Sequence, residues 1–235
     1  MSEPLLVCPS SWYRGTLEPT GPNGLISSVD TGSTPKTGEE DYWDGEIPWL
    51  TPKEITRSSF SLYVSQTDRA ITEQGLANCS ARLLPPGTVM LTKRAPVGAV
   101  AVNTVPMTTN QGFLNFRCGS KLRPLYLAVW LKANRSYLDK IANGSTYPEL
   151  YKSDLFELEI QVPDVAKQDA IVDAVFALEY IIMQGTPLEQ SCPSLEKIRT
   201  ISIETLRLKK VCKDLTLLLL SGQLDPAHVK TRFSI

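Results

Sequence analysis

The sequence predicts an α+β protein: one mixed α/β domain with a twisted sheet over residues 1–162, followed by a long helical hairpin or coiled-coil region over residues 163–235. Two patterns predict this division. Before Pro163, short runs rich in Val, Ile, Leu and Thr are separated by Gly and Pro, as in strands joined by turns. After Pro163, apolar residues recur every three or four positions, as on one face of a helix.

The first domain contains two clear strand candidates and one helix candidate. The runs Gly87–Thr92 and Val97–Val102 predict strands, the second bent at Gly98. Pro124 is suited to the first turn of a helix that residues 125–142 can continue, and Asn143-Gly144 supplies a stop.

The residues after Pro163 predict two helices. Asp164 is a credible N-cap for the first helix, which Gly185 and Pro187 end. The second helix runs over Ser194–Ser221 and carries an apolar seam that favours coiled-coil packing. The seam residues, which we predict to form a dimer or partner interface, are Ile201, Leu208, Val211, Leu215 and Leu218. An ordinary helical subdomain packed on the sheet is the alternative.

Several classes of protein are excluded at this stage. Residues 1–10 lack the basic and apolar parts of a signal peptide, and the apolar runs at 125–131 and 217–220 are too short for a membrane helix. The five cysteines form no C-x-x-C pair, which argues against a zinc site or a disulfide framework. We therefore expect a cytoplasmic protein with reduced, mostly buried thiols, no metal and no cofactor.

Charge is unevenly distributed although the formal net charge is −1. Residues 30–54 contain seven acids and two bases, a charge of −5, whereas residues 57–135 contain ten bases and two acids, a charge of +8. A basic stretch of this size can form a local face that binds anions. The alternative is a solvated surface without a partner.

Sequence motifs of catalysis are missing. The chain has no Asn-Pro-Pro-aromatic methyltransferase signature, no G-x-G-x-x-G loop and no P-loop. Pro163-Asp164 is not followed by an acid-x-Lys pair, as a nuclease motif would require, and His228 is a lone histidine near the C-terminus. These observations predict a protein that is not an enzyme, although an unrecognised active site stays open.

A series of short segments suggests a family. In chain order they are Pro9-Ser10-Ser11-Trp12, Gly32-Ser33-Thr34-Pro35, Tyr42–Trp49, Ile71–Leu76, Leu84–Val89, Lys93–Gly98, Thr109–Phe113 and Gly144–Leu150. With these segments the chain resembles the DNA-specificity subunits of type I restriction–modification systems. It departs from the family at Pro163–Gln168, where only the first and last residues match. It also has one set of motifs where family members commonly have two, so it resembles a half-length subunit.

The resemblance implies a target recognition domain followed by spacer helices. Such a subunit is not catalytic: it reads DNA and directs a methyltransferase subunit, and in some systems a restriction subunit, to a bipartite target. The helices would hold the partners, and a chain with one recognition domain could pair as a homodimer. The alternative function is a scaffold that bridges the subunits of a restriction–modification complex without reading DNA itself.

Basic and polar residues in loop-like segments are the candidates for contact with double-stranded DNA. These are Arg57, Ser58, Ser59, Arg69, Lys93, Arg94, Arg117, Lys121, Thr146 and Tyr147. Asn110-Gln111 is a further pair of possible donors, but a buried structural turn is the preferred interpretation of Asn110-Gln111-Gly112. Arg94-Ala95-Pro96 is expected to be structural or to face phosphate, and Trp43 and Trp49 are expected to be core anchors and not platforms for base stacking. The acidic run at 39–44 should face away from phosphate or toward a partner.

Overall fold

The chain divides into two compact units in the computed structural model, which describes residues 8–57, 62–143, 148–184, 210, 213–227 and 229. Tyr13–Val162 forms the first unit, here called the sheet unit. The second, the helical unit, combines the residues before Tyr13 with those from Pro163 onward. Residues 8–12 therefore belong to the helical unit, although the residues that follow them in sequence belong to the sheet unit.

The strands of the described residues all lie in the sheet unit. They are β1 (Tyr13–Thr16), β2 (Ile26–Thr31), β3 (Trp43–Leu50), β4 (Tyr63–Val64), β5 (Ala70–Ile71), β6 (Val89–Thr92), β7 (Val100–Asn103), β8 (Thr108–Thr109), β9 (Phe113–Cys118) and β10 (Glu159–Val162). Five of them form a sheet in the order β2-β9-β6-β7-β4, three form a second sheet in the order β5-β3-β8, and β1 pairs with β10.

The helices of the sheet unit are short. They are α1 (Pro52–Arg57), α2 (Glu73–Ala77), α3 (Pro124–Ala133), α4 (Arg135–Ile141) and α5 (Lys152–Phe156), and a 3-10 turn covers Glu40–Tyr42. The helical unit contains α6 (Val165–Gln184) and a further helix over residues 213–220. No helix in the described part of the chain has both the length and the apolar character needed to cross a lipid bilayer.

The two predicted strands form the centre of the larger sheet. β6 and β7 are antiparallel and buried along their whole length, as expected for strands covered on both faces. The predicted bend at Gly98 is a turn before β7, since Gly98 has a φ of +78° and its N–H donates to Thr92. The strand prediction is confirmed, with β7 starting three residues later than expected.

A shared core joins the two larger sheets. Its fully buried members come from β3, β6, β7, β9 and the loops beside them: Leu50, Leu84, Met90, Ala101, Met107 and Phe113. α3 packs on β6 and β7, and its residues Tyr126 to Leu131 are buried.

The single helix expected from Pro124 to residue 142 is wrong in one respect, because it is divided into α3 and α4 at Asn134. Asn134 is buried, and its side-chain amide donates to the Trp130 carbonyl at 2.8 Å. Asparagine side chains compete with helical backbone hydrogen bonds in this way. The first helix therefore ends before Asn134, and α4 begins at the next residue.

The first predicted C-terminal helix is confirmed as α6. The Asp164 carboxylate accepts a hydrogen bond from the Lys167 N–H at 2.9 Å, so Asp164 is the N-cap that the sequence indicated. The stripe residues Ile171, Val175 and Leu178 are buried.

The second predicted helix is described only near its end. Residues 213–220 are helical, and Gly222, at a φ of +72°, follows them in the left-handed conformation typical of a helix C-terminus. Leu219 and Leu220 are fully buried, and the space beside Gly222 is filled by Pro9 and Trp12. Ile201, Leu208 and Val211 lie outside the described residues, so the proposed seam is seen only at Leu215 and at Leu218, which is exposed.

Three of the five thiols lie within the described residues, and each of them is partly buried. Cys8, Cys79 and Cys118 are free and half-buried, whereas Cys192 and Cys212 lie outside the described residues. Burial raises the pKa of Cys8 to about 11 and that of Cys118 to about 12, so both thiols stay protonated near neutral pH.

Candidate nucleic-acid interface

Several of the motif segments meet at one end of the larger sheet. β9 runs antiparallel to both β2 and β6, so the ends of β2 and β6 lie beside the start of β9. We call this the motif end and define it by five segments: Gly32–Pro35, Leu50–Pro52, Lys93–Arg94, Asn110–Gly112 and Glu149–Leu150. The antiparallel topology therefore gathers residues that are far apart in sequence.

The segment after β2 is pressed against the turn before β9. The Ser33 N–H donates to the Thr109 carbonyl at 3.0 Å, and a side chain on Gly32 would overlap the carbonyl oxygens of Thr109 and Asn110. The Thr34 hydroxyl donates to the side-chain oxygen of Gln111 at 2.5 Å. Glycine at position 32 is therefore what permits the two segments to approach.

The turn at Asn110–Gly112 has the structural role that the sequence indicated. The Asn110 side-chain oxygen accepts from the Gly112 N–H at 2.8 Å, and the Asn110 N–H donates to the Leu50 carbonyl at 3.0 Å. Gln111 differs from its neighbours because its side chain is exposed. The turn thus presents one amide side chain to solvent.

Lys93 and Arg94 share a carboxylate that the sequence analysis did not single out. The Lys93 ammonium lies 2.8 Å from one oxygen of Glu149, and the Arg94 Nε lies 3.1 Å from the other. The side chain of Lys93 is 14% exposed and that of Arg94 is 51% exposed. The hydrogen bond from Lys93, together with Arg94, holds the pKa of Glu149 below its usual value although burial opposes this.

This ion pair changes the expectation for the two cations. Lys93 is engaged by Glu149 and mostly covered, so it is placed as a structural residue. Arg94 keeps an exposed guanidinium. Glu149 lies in a motif segment, and its charge is opposite to that of Lys93-Arg94. This was a sequence signal for the ion pair, but the long separation along the chain gave no reason to connect these residues.

Arg69 lies on an aromatic surface formed by two tryptophans of β3. Its guanidinium carbon is 3.6 Å from the Trp43 ring centroid and 5.8 Å from that of Trp49, and the two indoles meet edge to face at 5.1 Å. The tryptophan N–H groups donate to the carbonyls of Lys36 and Ser33. Both tryptophans are buried core anchors, as expected, and they also fix the loop after β2.

Two of the remaining candidates lie at the opposite end of β9. Arg117 is exposed on β9 opposite Ser28, and the Lys121 ammonium lies 3.9 Å from the Tyr13 ring centroid. At about 3.4 Å per residue, Arg117 is roughly 14 Å along the strand from its start at Phe113. The cations of the +8 stretch therefore form at least two groups and do not form one patch.

Other cations near the larger sheet are engaged by neighbours. Arg82 lies 3.3 Å from Asp30, and the Arg135 Nε donates to the Val97 carbonyl at 3.1 Å. The Lys152 ammonium donates to the Val29 carbonyl on β2, also at 3.1 Å.

Four predicted site residues lie outside the described residues: Ser58, Ser59, Thr146 and Tyr147. Arg57 ends α1, and only its backbone is described. The described segments before and after residues 58–61 are joined by Glu54. Its carboxylate accepts hydrogen bonds from the N–H groups of Thr51 and Asp68, both at 2.7 Å.

Exposed acidic residues follow the loop after β2. Glu39, Glu40, Asp41, Asp44 and Glu46 are all exposed. Within the described residues, no three His, Cys, Asp or Glu side chains come together in a way that could hold a metal ion.

Comparison with known families gives these features a context. The family model of the type I restriction modification DNA specificity domain matches residues 23–189, which include the whole motif end. The chain belongs to this family. The specificity-domain match also extends into α6.

Two curated relatives agree with this assignment. The type I restriction enzyme MjaIX specificity subunit of Methanocaldococcus jannaschii is 42% identical over 159 residues, which are 67% of this chain and 37% of that protein. The EcoR124I/EcoR124II specificity subunit of Escherichia coli is 25% identical over 176 residues, 71% of this chain and 43% of that protein. The chain thus spans less than half the length of these specificity subunits.

Solved structures show the same fold. The HsdS subunit from Thermoanaerobacter tengcongensis superposes with a TM-score of 0.52 at 18% identity, over 92% of this chain and 46% of that one. A chain from a study of assembly and conformational transition in the type I R-M system gives a TM-score of 0.55 at 21% identity, over 92% and 47%. The specificity-domain fold is therefore shared with both.

Proposed function

We propose that this chain is a non-catalytic DNA-recognition subunit that directs a methyltransferase subunit to a bipartite target in a cytoplasmic restriction–modification complex. Where the complex contains a restriction subunit, the chain directs that subunit as well. The observation that carries the proposal is the specificity-domain match over residues 23–189, which contains both groups of exposed cations on the larger sheet.

The two groups of cations suit two kinds of contact with DNA. Phosphate contacts fix the position of a protein on the duplex, and contacts with base edges give sequence specificity. We assign base reading to the segments Arg57–Arg69 and Arg117–Lys121, which do not belong to the motif segments. Arg117 and Lys121 support this assignment because both are exposed.

We also propose that two copies of the chain pair through their C-terminal helices. A two-fold dimer would bring two recognition domains together, and its target would be symmetric and split. Leu218 supports this proposal because it is a large apolar side chain that is 38% exposed, whereas the adjacent Leu219 is fully buried.

Coexpression with the methyltransferase encoded beside this chain tests the function. We expect methylated bases at a bipartite, two-fold symmetric sequence, and we expect them to disappear when the chain is omitted. Methylation that does not depend on the chain, or an asymmetric target, would contradict the proposal or its dimer.

Binding to duplex DNA separates the recognition function from a scaffold. A subunit that neutralises phosphates loses affinity steeply as salt rises, because counterions are released on binding. Fluorescence anisotropy with labelled duplex at several salt concentrations measures this slope. A chain that joins the methyltransferase complex but shows no salt-dependent binding would be a scaffold.

A further inference from the structure

We infer that Arg94 and Gln111 together form a binding site for one DNA phosphate that fixes the register of the domain on the duplex without reading sequence. This inference rests on the proposed function and deepens it. It joins Arg94, which the sequence analysis expected to be structural or to face phosphate, with Gln111, for which a structural turn was the preferred interpretation.

The two side chains are brought together by the ladder between β6 and β9. Thr92 pairs with Phe113 at the end of the ladder, and the Lys93 N–H then donates to the Gly112 carbonyl at 2.8 Å. Arg94 and Gln111 are the residues immediately beyond this hydrogen bond, one on each segment. Because this bond joins the two segments one residue before Arg94 and one residue after Gln111, we infer that one ligand can reach both side chains.

Glu149 orients Arg94 and leaves it charged. The Lys93–Glu149 pair at 2.8 Å is mostly covered, with side chains 14% and 19% exposed, so the carboxylate is neutralised on its inner side. Glu149 also accepts from the Arg94 Nε. The three groups carry a net charge of +1, and Arg94, whose side chain is 51% exposed, carries the exposed part of that charge.

Thr34 orients Gln111 in the same way. The Thr34 hydroxyl occupies the side-chain oxygen of Gln111, so the amide nitrogen is left as the exposed part of the group. That nitrogen makes no hydrogen bond to a described residue. The amide nitrogen supplies two N–H donors.

A phosphate fits this pair by its chemistry. Arg94 and Gln111 present donors, and phosphate oxygens are acceptors that carry the negative charge favoured by the exposed guanidinium. The guanidinium is held by a carboxylate and the amide by a hydroxyl, so little side-chain entropy is lost on binding. Because phosphates occur at every step of the duplex, this contact is independent of sequence.

Charge-matched variants test the site in the whole chain. Gln111→Glu places a carboxylate at the site, and Gln74→Glu makes the same change on the exposed surface of α2. We expect Gln111→Glu to weaken binding about ten-fold to target and non-target duplex alike, since a charge-assisted hydrogen bond is replaced by repulsion. Gln74→Glu has little effect. Equal melting temperatures confirm that both variants are folded.

Removal of the cation gives a second readout. Arg94→Gln should make the salt slope of duplex binding shallower by about 0.9, the value for one phosphate contact. An unchanged slope together with equal affinities for Gln111→Glu and Gln74→Glu would overturn the phosphate site while leaving the proposed function intact. A loss confined to the target duplex would show that the pair reads bases. A wild-type chain that binds no duplex would overturn the proposed function itself.

Discussion

Gly32 is a motif residue whose role is to leave room for a close backbone contact, because it has no side chain. An added side chain there would overlap the carbonyl oxygens of Thr109 and Asn110, so Gly32→Ala must push the loop away from the turn. We expect the free energy of unfolding to fall by at least about 2 kcal/mol, as for overpacked sites. Urea denaturation followed by circular dichroism measures the change.

Gly38→Ala is the matched control for that substitution. Gly38 lies in the same connection, and a side chain added there would meet no atom within 4 Å. We expect its stability to stay close to that of the wild type. Equal losses of stability in the two variants would show that the close contact at Gly32 does not explain the effect of Gly32→Ala.

Glu149 makes the stability of the sheet unit depend on pH. Its pKa is lowered in the folded state by the hydrogen bond from Lys93 and by Arg94. A lowered carboxyl pKa adds stability above the ordinary glutamate range of about 4.3, and this stability is lost as the pH falls through the folded-state value. Glu149→Gln should therefore be less stable than the wild type at pH 7, with a difference that shrinks below about pH 4.

Thermal denaturation at a series of pH values measures this difference. Glu159→Gln is a suitable control, because Glu159 also meets an arginine but at 3.6 Å and with both side chains more than half exposed. A stability gap for Glu149→Gln that does not change with pH would contradict the role of the carboxylate charge.

At the scale of the element, the sequence predicted what local patterns determine. β6 and β7 follow from buried runs beside turn residues, and α6 follows from its apolar stripe and the cap at Asp164. The break at Asn134 was missed because asparagine is tolerated within many helices. Its effect here depends on burial, which forces the side-chain amide to bond to the Trp130 carbonyl.

The cap of α6 allows a direct test. Asp164→Ala removes the acceptor of the Lys167 N–H, and the loss of an N-cap costs about 1 kcal/mol. We expect a decrease of that size in the free energy of unfolding, measured by urea denaturation. Asp139→Ala, at an exposed position inside α4, is the control and should cost less.

At the scale of the whole molecule, the sequence gives the number of charges in the basic stretch but not their positions on the fold. The +8 stretch suggests one basic face, but the antiparallel order of β2, β9 and β6 places Lys93-Arg94 and Arg117 at opposite ends of β9. The partner of Lys93 lies 56 positions away at Glu149, and no local pattern indicates it. The motif segments themselves predicted the family, because their order along the chain can be recognised in the sequence without knowledge of how the strands are arranged.

The proposed dimer is tested on the intact chain. Changing Leu208, Leu215 and Leu218 to serine should convert the dimer to a monomer in light scattering, since the seam would lose its apolar surface. Leu83→Ser is the control, because Leu83 is the more exposed leucine at 48% but lies in the sheet unit. A dimer that persists in the triple variant, or that Leu83→Ser disrupts, would contradict pairing through the helices.

The bond from Lys152 to the Val29 carbonyl has a consequence for how safely the protein can be concentrated. β2 is an outer strand of the five-stranded sheet, and outer strands offer free backbone groups to which another chain can add. The Lys152 ammonium comes from α5 and is bound to this strand. It occupies one of the strand's carbonyl groups and places a positive charge where an incoming strand would lie. Without this lysine, the first defect to expect is gradual precipitation through intermolecular β-pairing.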